Sequence, residues 1–382
     1  MMKFVIAPDS FKGGLSAKEV AEAIKKGIKC VYPNAIYSLV PMADGGEGTV
    51  RSLVDATNGT FITEKVTGPL GNPVDATFGI LGNGTTGVIE MSQASGLQYV
   101  TDKTANPLKT TTYGTGQLIL KALDHGISEL ILGIGGSATN DGGAGMAQAL
   151  GARLLDQNHH DISFGGGHLN ELAKIEISTI DPRIKKLKLL IASDVTNPLI
   201  GQNGASMVFG PQKGGTPKMV KRLDQNLSHY ATLIFQQLGK DLAHYSGAGA
   251  AGGLGAGLIT FTNAKMLRGV DLVIKYSGLR EKAKNATFVF TGEGGIDFQT
   301  KFGKTPFGVA LATKQVAPNA PVIVIAGNVG DGINSLYADN AIDAIFTSVS
   351  GVKTINEALR FAQHDISQVS ENIARLIHAT QK

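Results

Sequence analysis

Along most of the chain, short apolar runs alternate with stretches whose apolar positions recur every three or four residues. Short apolar runs read as buried strands and the 3.6-residue period as helices, so the pattern is that of an α/β protein. Phe4–Ala7 reads as a first strand. The sequence SAKE at 16–19 has the serine and glutamate of a capping box and opens a helix carrying Val20, Ile24 and Ile28. Ile36–Val40 reads as the next strand, followed by a helix from Glu47 to Ala56. Between Phe61 and Met91 the texture changes. Two turn signals, GPLGNP (68–73) and GNGTT (82–86), separate alternating runs and predict an antiparallel meander. A helix over 115–125, a strand over 129–134, a helix over 142–151 and a buried strand at Leu187–Ala192 restore the α/β texture. After a long helix near 216–239 and a glycine-rich run at 247–257, strands follow at Phe288–Thr291, Val322–Ala326 and Ile342–Thr347. Thr305 as N-cap and Pro306 at the first helical position mark one helix start, and a long helix closes the chain.

This order predicts two α/β domains. A doubly wound Rossmann/flavodoxin-like domain is built from residues 1–65 and 285–382, at the two ends of the chain. An inserted α/β domain, residues 66–284, begins with the meander and carries the glycine-rich loops.

Composition sharpens this without overturning it. The 382 residues are 42% hydrophobic and 17% charged, as in an ordered globular chain, but 50 of them are glycine. That is nearly twice the usual share of about 7%. The glycines have no repeat period and gather beside strand-like runs, which marks loops rather than linkers. A net charge of +4 with scattered Lys and Arg argues against nucleic-acid binding. The single cysteine, Cys30, excludes an intrachain disulfide and a Cys-rich metal site and suits a reducing cytoplasm. The start MMKFVIAPDS enters a strand at once, which leaves no room for a signal peptide. The uncharged stretch 245–264 is too rich in glycine and hydroxyl residues for a membrane span. No oligomeric state is legible.

Chemistry shows first in the placement of acids. Asp9, Asp44, Glu90, Asp141, Asp194 and Glu293 each stand at or just past the end of a strand-like run, with Asp297 four residues on. Ligands of open α/β sheets bind at the carboxyl ends of strands, so the pattern predicts a cleft lined by these acids. Lys12, Lys213 and Lys304 lie in glycine-flanked loops. Carboxylates for Mg²⁺ and lysines for phosphate oxygens are the parts of phosphoryl transfer. The most informative stretch is 130–149, LILGIGGSATNDGGAGMAQA, a strand that breaks into small residues and hands over to a helix. Such a loop presents backbone N–H groups to an anion. Asn140 and Asp141 also have the chemistry of plain helix caps. Gly133-x-Gly135-x-x-Ala138, with Asp156 further on, fits a dinucleotide fingerprint, so a nicotinamide-dependent dehydrogenase is an alternative at this point. FGKT at 302–305 resembles the end of a Walker A loop, but Phe298 stands where its first glycine belongs.

Taken together, APDSFKGGLSA (7–17), PMADGGEGT (41–49), YGTGQLI (113–119), GIGGSATNDGGAGM (133–146), SDVTNPLIG (193–201), GPQKGG (210–215), GAGAAGGLGAG (247–257) and TGEGGIDFQTKFGKTPFGVA (291–310) resemble the bacterial glycerate kinase family. The stretches run nearly end to end in family order. One departure is Gly295, where the family has arginine in GEGRID. The resemblance implies two α/β domains and ATP- and Mg²⁺-dependent phosphorylation of D-glycerate, at the 2-hydroxyl in preference to the 3-hydroxyl. A kinase of another small hydroxy acid and a non-catalytic ligand-binding regulator are the alternatives. Asp194, at a buried strand's end beside Asn197-Pro198, is the expected general base. Ser10, Lys12, Asp44, Gly45, Gly46 and Glu47 are the expected substrate residues. Gly135, Gly136, Ser137, Asn140, Lys213, Gly252, Gly253 and Lys304 are expected at phosphate or ATP. Asp194, Glu293 and Asp297 are expected at a metal ion.

Overall fold

The structure, a computed structural model, describes residues 1–337 and 341–381. Its first strands are β1 (Lys3–Ile6) and β2 (Ile36–Leu39), then β3 (Thr60–Thr67), β4 (Pro73–Ile80) and β5 (Thr86–Glu90). Next come β6 (Glu129–Gly133), the short pair β7 (Arg153–Leu155) and β8 (Lys174–Glu176), β9 (Lys188–Ala192) and β10 (Lys265–Leu267). The last are β11 (Phe288–Ile296), β12 (Val322–Val329) and β13 (Ala344–Thr347). The chain divides into two compact units, Met1–Asn58 with Arg268–Lys382, and Gly59–Leu267.

The first unit is built on a parallel sheet in the order β13-β12-β11-β1-β2. Counted within the unit this is the flavodoxin-like order 2-1-3-4-5. Phe4, Ile6, Phe290, Ile323 and Ile325 share one core with the helices Ala17–Lys29 and Ile355–Thr380. Those two helices meet closely at Gly27, where a Cβ would stand 2.1 Å from the Ser367 carbonyl oxygen. The alternate residues Val5, Val289, Val322 and Val324 are equally buried, so both faces of the sheet are covered. The Ser16–Glu19 capping box forms as the sequence predicts. The helix Thr305–Val316 departs from expectation: Lys304, not Thr305, is its N-cap. Proline is tolerated at either of the first two helical positions, and the Thr305 hydroxyl is drawn away to Asp9.

The second unit holds a mixed sheet in the order β10-β9-β6-β5-β4-β3. β10, β9, β6 and β5 run parallel, and β4 is antiparallel to both β5 and β3, which is the meander signalled by the two turns. β3 falls in this unit because it pairs with β4 from Thr60↔Ile80 to Thr67↔Pro73. The helix Gly269–Tyr276 falls in the first unit, where Gly269 lies against the backbone of Asp44. The helix expected over 142–151 is shorter, Ala144–Ala149, because Gly142 and Gly143 take left-handed φ values of +64° and +75°. The glycine-rich run becomes the helix Ala250–Phe261, with left-handed backbone at Ala251, Gly252 and Gly253. Among the described residues no helix is long and apolar enough to cross a membrane.

Candidate active site

The strand-end acids fall into two groups, one in each unit. In the first unit the strand order reverses between β1 and β11, and such a switch point is where open α/β sheets bind ligands. Asp9 leaves β1 at this point, and its N–H donates to the Gly292 carbonyl of β11 at 2.8 Å. Its Oδ2 accepts from the Thr305 hydroxyl at 2.6 Å and its Oδ1 from the Ser10 N–H at 2.6 Å. Burial, with Asp44 adding to it, pushes the Asp9 carboxyl up to about 6 against those donors. The chain then turns back on itself, Phe11 N–H bonding the Leu15 carbonyl at 2.9 Å. This loop, with Glu47 and Gly48, lines a cavity of about 340 Å³. Ser10, Lys12 and Glu47 therefore share one recess, with Lys12 and Glu47 exposed. Asp44 is half-buried and its Oδ1 accepts the Gly46 N–H at 2.9 Å, across a turn in which Gly45 has φ +96°.

Glu293 sits on β11 beside these groups. Burial is the main reason its carboxyl is pushed up to about 7; Asp9 and Asp44 add to it, and Lys304 opposes. Lys304 Nζ lies 3.2 Å from Glu293 Oε1 and 4.0 Å from Asp297 Oδ1. Asp297 also caps the short turn Phe298–Phe302, accepting the Gln299 N–H at 2.8 Å. Among the described residues no group of three or more His, Cys, Asp or Glu side chains is arranged to hold a metal ion. Of the three acids expected at a metal, Glu293 and Asp297 lie in the first unit with the Lys304 ammonium between them, and Asp194 lies in the second unit. Gly295 has open space where a Cβ would be and no left-handed φ, so the position has room for a side chain.

In the second unit the carboxyl ends of β5, β6 and β9 are level, since Glu90 pairs with Gly133 and Gly133 with Ala192. The loop 134–141 leaves β6 there, and Asp194 leaves the neighbouring β9, exposed. Gly135 and Gly136 form the loop's exposed edge, while Ser137, Thr139, Asn140 and Asp141 are buried. Asp141 is the anchor. Its carboxylate accepts from Thr112 N–H (2.8 Å) and hydroxyl (2.9 Å), and from the N–H groups of Gly143 (3.1 Å) and Gly145 (3.3 Å). Burial pushes its pKa up and these four donors hold it down. The side chain thus caps the next helix and also pins the 110–113 segment to the loop.

Two further groups complete the loop. Asn140 Nδ2 donates to Ser206 Oγ at 2.8 Å, and its Oδ1 is buried with no hydrogen-bond partner. Lys213, 2% exposed, donates to Ser137 Oγ at 2.7 Å and to the Thr139 carbonyl at 2.6 Å. Burial pulls its pKa down to about 7. Gly252 and Gly253 pack against the same loop backbone-to-backbone. A Cβ on Gly252 would stand 2.0 Å from the Thr139 carbonyl oxygen, and one on Gly253 would stand 2.9 Å from Gly142 Cα. Thr112 and Ser206 carry no motif of their own, the one sequence signal for Thr112 being the run TTT just before YGTGQLI, and Thr305 reads in the sequence only as a helix cap.

A family model described as the glycerate kinase family matches residues 4–378. A glycerate kinase of Halalkalibacterium halodurans is 53% identical over 374 residues, covering 98% of each chain. The glycerate 2-kinase of Escherichia coli K12 is 51% identical over 373 residues, covering 98% of this chain and 97% of its own. A crystal structure from Salmonella typhimurium LT2, of a protein provisionally named glycerate kinase 2, superposes with a TM-score of 0.92 at 48% identity, covering 100% of this chain and 99% of that one. With its motifs, its two α/β units and a family match over nearly its whole length, the chain belongs to the glycerate kinase family.

Proposed function

We propose that the protein is an ATP-dependent kinase that transfers the γ-phosphoryl group to the 2-hydroxyl of D-glycerate, giving 2-phosphoglycerate and ADP. The observation that carries this reading is the loop after β6. Its exposed Gly135–Gly136 edge offers backbone to a phosphate without a side chain in the way, and Asp141 and Lys213 hold it rigid from below. In the first unit, the recess of Ser10, Lys12 and Glu47 suits a small hydroxy acid: Lys12 meets the carboxylate, and Ser10 and Glu47 meet hydroxyl groups. The E. coli relative named glycerate 2-kinase supports the 2-hydroxyl as acceptor.

Asp194 acts as general base. It accepts the acceptor's hydroxyl proton as the new O–P bond forms and the bond to the leaving ADP breaks. Mg²⁺ is assigned to the nucleotide's own phosphates, the usual mode for this ion; among the described residues no group of three or more His, Cys, Asp or Glu side chains is arranged to hold it. Lys304 pairs with Glu293 and offsets part of the negative charge that Glu293 and Asp297 bring together.

ADP release with D-glycerate and ATP tests both the activity and the base. Asp194→Asn is expected to lower kcat by about 10²–10⁴-fold with little change in KM. A variant within a few-fold of the wild type removes Asp194 from the role, and turnover confined to another hydroxy acid, or reduction of a nicotinamide cofactor in its place, overturns the reading.

A further inference from the structure

Lys213 enters from the short turn Pro211–Lys213 and ends beneath the phosphate-facing loop. Both atoms it bonds, Ser137 Oγ and the Thr139 carbonyl oxygen, are neutral. A buried ammonium with neutral partners is a costly cation, far costlier than one with a carboxylate against it. Among the described residues Asp141 is the charged side chain that acts on Lys213, through space, and its oxygens are committed to Thr112, Gly143 and Gly145. Tyr230 is the other titratable group of this buried layer, and burial keeps its phenol protonated. The layer also holds polar atoms without partners, Thr139 Oγ1 and Asn140 Oδ1.

The two charge states of Lys213 give Ser137 opposite roles. A neutral amine still donates to Thr139, but its lone pair accepts the Ser137 hydroxyl hydrogen, which is then turned inward. An ammonium has no lone pair, so it donates to Ser137 Oγ and frees the hydroxyl hydrogen for another acceptor. Ser137 directly follows the exposed Gly135–Gly136 edge, so an anion seated there is separated from Lys213 by one hydroxyl group. The anion supplies the countercharge that the buried ammonium lacks and takes the hydrogen bond that protonation releases.

We propose that a phosphate-bearing ligand binding at the Gly135–Ser137 edge drives uptake of a proton by Lys213. Lys213 is thus a positioning residue that orients Ser137 and clamps the loop from inside, not a direct phosphate contact. Burial already poises the free side chain near neutrality, within reach of such a shift. The inference rests on the phosphate-loop reading above.

Calorimetry of the imido analogue of ATP, with Mg²⁺, in buffers of different ionisation heat counts protons taken up on binding. The wild type is expected to take up more protons than Lys213→Met at pH 8, with the difference vanishing at pH 6, where the free lysine is already charged. Should the variant fail to fold, NMR of wild-type protein carrying ¹³C-labelled lysine reads the same quantity. One lysine ε-carbon then titrates near neutrality and moves to higher pH when the analogue is added. Binding with equal proton counts, or a lysine titration that does not move, overturns the inference alone. Failure of the analogue to bind the wild type overturns the phosphate-loop reading and the inference with it.

Discussion

The carboxyl group of Asp9 is buried beside two other acids, and its folded-state pKa of about 6 stands above the ordinary 3.8. A raised carboxyl pKa means that the folded state holds the proton more tightly than the unfolded chain. The stability this contributes is complete below about pH 4 and is lost as the pH rises from 3.8 to about 6. At neutral pH the ionised group is therefore a burden, on the order of 3 kcal/mol for a shift of about two units. Asp9→Asn keeps an acceptor for the Ser10 N–H, lets its amide N–H donate to the Thr305 hydroxyl oxygen, and removes the charge. It is expected to raise Tm at pH 7.5, with the gain disappearing below pH 4; a lower Tm at pH 7.5 contradicts this. As a strand-end acid Asp9 was legible in the sequence, but its partner Thr305 lies 296 positions away and reads locally as a helix cap. Lys213 shows the same limit. A glycine-flanked lysine looks like a solvent-side phosphate grip, and only its pairing with Ser137, 76 positions away, reveals it as buried.

At the scale of elements, local signals were reliable and backbone packing was not. The two turns of the meander specify hairpins within a few residues, and the Ser16 capping box closes within one helical turn, so both could be read directly. Gly252 and Gly253 in the run 247–257 are expected at phosphate or ATP from the family resemblance. Gly252, at φ +68°, and Gly253, at φ +89°, let one helix start lie directly on the loop 139–142. Gly252→Ala is expected to cost about 2–4 kcal/mol, from left-handed strain plus the clash with the Thr139 carbonyl. The measurement is Tm by calorimetry. An unchanged Tm refutes the packing role and returns Gly252 to the list of ligand contacts.

For the molecule as a whole, the change of texture at the meander was enough to show that one α/β unit is inserted into another. The strand order was not legible, because β1 pairs with β11 across more than two-thirds of the chain. That order is what places Asp9, Glu293 and the Ser10–Ser16 recess at a single switch point. The strand-end acids consequently split into two sets with different surroundings: in the first unit Lys304 pairs with Glu293 and Thr305 bonds Asp9, and in the second Thr112 anchors Asp141. Family membership follows from motifs in order along nearly the whole length, and the catalytic claim follows from the sites that those motifs build. The most direct test of that claim is phosphorus NMR of the product formed from D-glycerate and ATP. The account predicts the resonance of 2-phosphoglycerate; 3-phosphoglycerate, or unreacted ATP with no phosphorylated acid, would contradict it.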